Sequence, residues 1–200
     1  MTKEQGSWKA FLIVLGVLVL MVIAILLVKR VYVPRSPYPT VTYNNFEFEQ
    51  IEGMWYVKWQ RDGNVYNMGF RYNPKEVEDV PVRGGLNATF KRQPFYVTFD
   101  PDGNQSNFKY IALGIAELGL NVVRAMDGQI ESACTRNVSE ACDGHPIVSC
   151  DDDDKAVIYF KTVNETRVRL DGNCMTIEGT GLEMLKAVDR VLFHFMNIQQ

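Results

Sequence analysis

AVIYFKTVNETRVRLDGNCMTIE, residues 156–178, holds three short runs of β-branched and apolar residues separated by the turn signals Asn164-Glu165 and Asp171-Gly172. Asp-Gly between alternating apolar residues is a strong short-range hairpin signal. The stretch therefore reads as a three-stranded meander: Ala156–Val163, Thr166–Leu170 and Asn173–Glu178, each pairing with the next. Closing the second turn at Leu170 and Asn173 sets Val168 opposite Met175 and Thr166 opposite Ile177. One face is then apolar, and Arg167, Arg169, Cys174 and Thr176 fall on the other. Val157, Ile158, Tyr159 and Phe160 supply apolar groups to both faces, so the first strand is expected to be covered on both sides. Glu178 shares a face with Arg167 and Arg169, the pattern of a cross-strand ion pair.

Downstream, Thr180 with Glu183 three residues later predicts a capping box for a helix from Gly181 to about Asn197. Met184, Leu185, Val188, Val191, Leu192, Phe195 and Met196 fill one broad arc of that helix. Glu183, Lys186, Arg190, His194 and Asn197 fill the other, which predicts a surface helix lying on a sheet.

Upstream, Ser106 opens a second helix running to about Met126, with Ile111, Ile115, Leu118 and Val122 on one face. Leu113 and Leu120 lie on its opposite side. The expectation is burial between two layers, the alternative an exposed partner surface. Phe95–Phe99 reads as a buried strand ended by Asp100-Pro101-Asp102-Gly103. Asn73–Pro94 reads as an irregular surface excursion with a helical turn at Lys75–Asp79. Met54–Gln60 and Val65–Tyr72 flank Arg61-Asp62-Gly63-Asn64 as a hairpin, and Phe46–Glu49 alternates like a half-buried strand. Trp55, Val57 and Trp59 share a face of the hairpin, which suits core packing and offers a second candidate partner surface. The fold class is α+β: a mostly antiparallel sheet, hairpin and meander, with two packed helices.

Ahead of this domain, Ala10 to Val28 carries no charge and is closed by Lys9 and by Lys29-Arg30. At the helical rise it spans roughly 28 Å, about one bilayer core. Its apolar core exceeds a signal peptide's, and no small-x-small cleavage site follows, so it reads as a retained signal anchor. Residues 1–9 form a short cytoplasmic tail, 10–28 the transmembrane segment, 29–45 an extended proline-rich spacer with Pro34, Pro37 and Pro39, and 46–200 the folded domain. Flanking charges nearly tie, and taken alone they slightly favour, or fail to oppose, a cytoplasmic C-terminal domain. All four cysteines, Cys134, Cys142, Cys150 and Cys174, and four Asn-x-Ser/Thr sequons, at Asn87, Asn104, Asn137 and Asn164, follow the anchor. Clustered cysteines in even number favour disulfides and a single-pass protein of the cell membrane with its domain outside the cytoplasm.

Four cysteines near His145 raise a zinc site, but gaps of seven, seven and twenty-three residues include no C-x-x-C. Disulfides fit better, with Cys134–Cys142 and Cys150–Cys174 favoured among three pairings, the latter stapling the loop to the meander. The run Asp151–Asp154 is the composition of a solvated loop. A calcium loop at Asp100 lacks its later acidic ligand. No G-x-S-x-G and no glycine-rich phosphate loop appears, so no metal, cofactor or catalytic residue is assigned. With 24 acids against 21 bases and a net charge of −3, nothing supports a nucleic-acid partner. The reading is a membrane-tethered domain that binds a protein or cell-envelope component. The alternative is an anchored envelope enzyme, a hydrolase or thiol-active protein, built on Asp151–Asp154, His145 or a free cysteine.

Overall fold

The computed structural model of the protein describes residues 4–31, 36–101 and 105–199. In chain order the elements are helix α1 (Glu4–Val31), strands β1 (Thr40–Tyr43), β2 (Phe46–Ile51), β3 (Met54–Arg61), β4 (Asn64–Phe70), β5 (Val82–Leu86) and β6 (Phe95–Phe99), helix α2 (Gln105–Met126), strands β7 (Ile130–Cys134), β8 (Ala156–Thr162), β9 (Arg167–Gly172) and β10 (Cys174–Gly179), and helix α3 (Leu182–Phe195). Short 3-10 turns lie at Pro74–Val77, Ala88–Lys91 and Glu140–Cys142. The chain divides into two compact units, Met1–Pro37 and Tyr38–Gln200. Within α1, Ala10–Leu27 is long and apolar enough to cross a membrane, as an anchor or a signal sequence.

The second unit is α+β, with an antiparallel four-stranded sheet in the order β1-β2-β3-β4 and a mixed six-stranded sheet in the order β5-β9-β10-β8-β6-β7. The first sheet is a run of tight hairpins. Its two-residue turns are Asn44-Asn45, Glu52-Gly53 and Asp62-Gly63, all at positive φ between 45° and 82°, the conformation that matches strand twist across so short a turn. The expected hairpin forms, with Arg61 opposite Asn64. Thr40–Tyr43, assigned above to the spacer, is instead a strand paired to β2, because this alternating β-branched and aromatic run follows directly on the last proline. Pro34 lies outside the described residues.

The second sheet departs from the expected meander. β9 and β10 form the predicted hairpin with a register two residues away, Leu170 opposite Met175 and Val168 opposite Ile177, closed over Gly172-Asn173. An even shift leaves every side chain on its predicted face. β8 and β9 do not pair; β10 lies between them, antiparallel to β9 and parallel to β8. β6, α2 and β7 make a parallel crossover unit, so β6, β7, β8 and β10 all run the same way. Burial of every residue of β10 is what a central strand covered on both faces requires.

The excursion at 73–94 also holds a strand. β5 runs parallel to β9 at the sheet edge, and Gly84 at φ +100° sits where a Cβ would collide with the carbonyl oxygen of Leu170. Gly84 is thus a condition of strand pairing and not a break in it. Val77 and Val80 before it are buried in the core.

Helix α3 is not the expected surface helix. Met184, Leu185 and every residue from Ala187 to Phe193 are buried, Asp189 and Arg190 included. It is covered from two sides. Phe193 packs its ring 5.7 Å from Phe48 and 4.6 Å from Phe70 of the four-stranded sheet. The other side meets α2 and the six-stranded sheet: a Cβ on Gly114 of α2 would lie 2.9 Å from Phe160 and 3.1 Å from Val188. The predicted capping box is absent. Thr180 Oγ1 and Gly181 N both donate to Asn107 Oδ1 of α2 at 3.1 Å, so the start of α3 is fixed by its neighbour helix.

Replacement of Phe193 by Ala removes the ring by which α3 packs on the four-stranded sheet and is expected to cost about 3–5 kcal/mol of folding stability, measured by chemical denaturation. A loss under about 1 kcal/mol would mean the sheets hold together without it.

Candidate functional site

The helices cover one face of the six-stranded sheet, where Val168, Leu170, Met175 and Ile177 enter the core. The opposite face is only partly covered. There the disulfide Cys150–Cys174, Cα to Cα 5.2 Å, and the disulfide Cys134–Cys142, Cα to Cα 5.8 Å, hold the 134–155 loop against a small apolar cluster of Ala133, Val148, Val157 and Cys174. Asn173 Nδ2 donates to the carbonyls of Asp152 at 2.9 Å and Lys155 at 3.2 Å, a second tie between this loop and the β9–β10 turn. The aspartate run is ordered by its own contacts. Asp152 accepts from Ser149 N at 2.8 Å and from Lys155 Nζ at 3.2 Å, and the Ser149 amide holds its carboxyl below the usual carboxylate range.

Beside the loop the sheet face opens into a cleft of about 810 Å³. Register places Arg83, Arg169, Thr176 and Tyr159 side by side across four strands, since Arg83 is opposite Arg169, Arg169 opposite Thr176 and Thr176 opposite Tyr159. Glu178, 1 % exposed, lies in the next row opposite Arg167. Its carboxylate accepts from Arg167 Nε and pairs with Arg169 Nη2 at 3.1 Å, so one buried acid fixes two guanidinium groups. Glu178, through its hydrogen bond, pushes the Arg167 guanidinium higher still. The lining also includes Asp151, Asp153 and Asp171, all exposed.

His145 is not part of this cleft; it lines a separate hollow of about 260 Å³ with Phe99, Phe108 and Ile115. All four cysteines are in disulfides, and among the described residues no three His, Cys, Asp or Glu side chains gather as metal ligands.

The two expected partner surfaces fare differently. Trp55 is 6 % exposed and belongs to the core, because the hairpin face it shares with Val57 is the one turned toward α3. Trp59, near the strand end, is half-buried and lines a mostly apolar pocket of about 410 Å³ with Phe95, Val122, Ile158 and Phe195. On α2 the expected burial of the second face does not occur. Leu113 is 41 % exposed, Leu120 61 % and Val123 53 %, with exposed Ala112 and Ala116 on the same arc. The helix lies at the rim of the domain, with its inner face alone spent on α3 and the sheets. Of the sequons, Asn87, Asn137 and Asn164 are exposed, and Asn104 lies outside the described residues. Asn87 Oδ1 also accepts from Thr89 N at 2.9 Å, capping a 3-10 turn at the edge of the cleft.

One buried polar group gives no sequence signal beyond an acid at the border of an apolar arc. Asp189 is fully buried where the end of β4 meets α2 and α3, and its Oδ2 accepts from Arg71 N at 3.0 Å and Tyr72 N at 2.8 Å. Burial, opposed by these amides and by Arg71 and reinforced by the nearby Glu117, pushes its carboxyl well above the ordinary 3.8. Glu117 is raised by the same cause and lowered by its ion pair with Arg71.

Comparison with protein-family models, with curated proteins and with solved structures finds no match to this chain.

A carboxyl raised in the folded state stabilises fully below its unfolded value and loses that contribution as pH rises through the folded one. Asp189→Asn keeps an oxygen for the two amides and cannot ionise. Its melting temperature relative to the native chain should therefore rise as pH increases from about 4 toward 8. A difference that stays constant over that range would show that Asp189 does not titrate with folding.

Proposed function

We propose that the chain is a single-pass membrane protein whose folded unit stands outside the cytoplasm and binds a protein or cell-envelope partner through the outer face of α2. The observation that carries this reading is the exposed strip of Leu113, Leu120 and Val123, with Ala112 and Ala116 between them. A helix that buries one face in a core normally turns charge to water on the other; a continuous apolar strip there is the mark of an interaction surface. Small alanines between larger residues let a partner approach the helix closely. The apolar N-terminal helix supplies the tether, and two disulfides fit an oxidising compartment. In that compartment the exposed Asn137 and Asn164 are open to glycosylation. The envelope-enzyme alternative has less behind it, since His145 and the aspartate run line different hollows and every cysteine is paired.

A photo-crosslinking residue at position 120 of the full chain in its native membrane should give a discrete adduct, and one at Lys58 on the four-stranded sheet should not. Leu113→Asp should abolish the adduct with the melting temperature kept. Equal labelling from both positions, or none from position 120, defeats the proposal. Protease added to intact cells should digest the folded unit; protection until the membrane is broken would reverse the orientation.

A further inference from the structure

The open face of the six-stranded sheet carries an arrangement that neither folding nor the α2 surface accounts for. Arg83 and Arg169 are register partners on adjacent strands, so two guanidinium groups stand side by side on one face. Like charges directly opposite one another in a sheet are destabilising. Glu178 neutralises only the Arg169 half of the pair; its other oxygen is taken by Arg167, which Glu165 also pairs. Among the described residues Arg83 has no ion-pair partner. The cleft of about 810 Å³ is thus lined by three guanidinium groups, two of them ion-paired to Glu178, and by the three carboxyl groups of Asp151, Asp153 and Asp171.

The remaining lining narrows what would fill that space. Arginine forks match planar oxyanions and bind them through paired hydrogen bonds. The carboxylates of Asp151 and Asp153, in the disulfide-held loop, accept hydrogen bonds without donating any and suit hydroxyl donors. Tyr159 offers a half-buried ring in the floor, next to Thr176. With guanidinium groups, carboxylate acceptors and an aromatic ring in one lining, the cleft fits a polyol that bears one oxyanion.

We propose that this cleft binds an acidic sugar residue, its carboxylate held between Arg83 and Arg169 and its hydroxyls donated to Asp151 and Asp153. The site is independent of the α2 strip, so either surface can fail without the other. A free sugar and the end of a glycan chain share this recognition.

Isothermal titration calorimetry on the full chain in detergent micelles tests it, with glucuronate, a glucuronate-terminated oligosaccharide and glucose as probes. Glucuronate or the oligosaccharide should bind with an affinity that falls as salt is raised, and glucose should bind at least about tenfold more weakly. Tighter binding of the oligosaccharide assigns the source to a chain, and equal binding assigns it to the sugar alone. Arg83→Gln should weaken binding by about tenfold or more, and Arg83→Lys, which keeps the charge without the fork, by less. Arg83 is exposed on an edge strand, so both variants are expected to keep the native melting temperature, which is measured alongside. No heat from either acidic probe, glucose bound as tightly as glucuronate, or unchanged affinity in a folded Arg83→Gln protein overturns the proposal.

Discussion

Everything in the folded unit depends on α3 having two sheets to satisfy at once. Its ring at Phe193 stands against the four-stranded sheet, while Val188 faces α2 and the six-stranded sheet. The polar side of the same constraint is Asp189, whose carboxylate holds the amides of Arg71 and Tyr72 where the chain leaves β4. An acid so deeply buried is costly unless its hydrogen bonds are made. Here they set the point at which one sheet hands the chain over to the other, and α2 can then lie at the rim with one face to spare.

What could be read from residue order was local. Asp62-Gly63 carries its own turn conformation, so the hairpin around it was legible. Parity put Arg167 and Arg169 on one face with Glu178, and a register two residues away left that face unchanged. The adjacency of β8 and β10 was not legible, because nothing in Asn164-Glu165 distinguishes a strand that turns back beside its predecessor from one that leaves room for a third. β5 was hidden by its own glycines: a residue type that weakens isolated strands is here required by the close approach to Leu170. With β5 went Arg83, and with Arg83 most of the cleft.

The polar arc of α3 misled for a related reason. Arg190 and His194 follow the spacing of a solvated face, yet a second sheet covers that side, and burial lowers the pKa of both groups. An amphipathic pattern reports how many apolar positions a helix has; it does not report how many neighbours will crowd the rest. The outer side of α2 is the converse case, apolar by sequence and left bare by the fold.

The place where the chain enters the folded unit has a mechanical consequence. Thr40, the first residue of β1, is the open end of an edge hairpin, paired to Glu49 and followed by a turn at Asn44-Asn45. Tension drawn through the N-terminal segment loads that hairpin pair by pair instead of shearing several hydrogen bonds together. The four-stranded sheet would therefore open strand by strand from β1, resisted by its packing on α3, whereas both disulfides lie within the six-stranded half, outside the first part of the load path. A partner gripping α2 would hold the cross-linked half still while the hairpins paid out as a compliant leash.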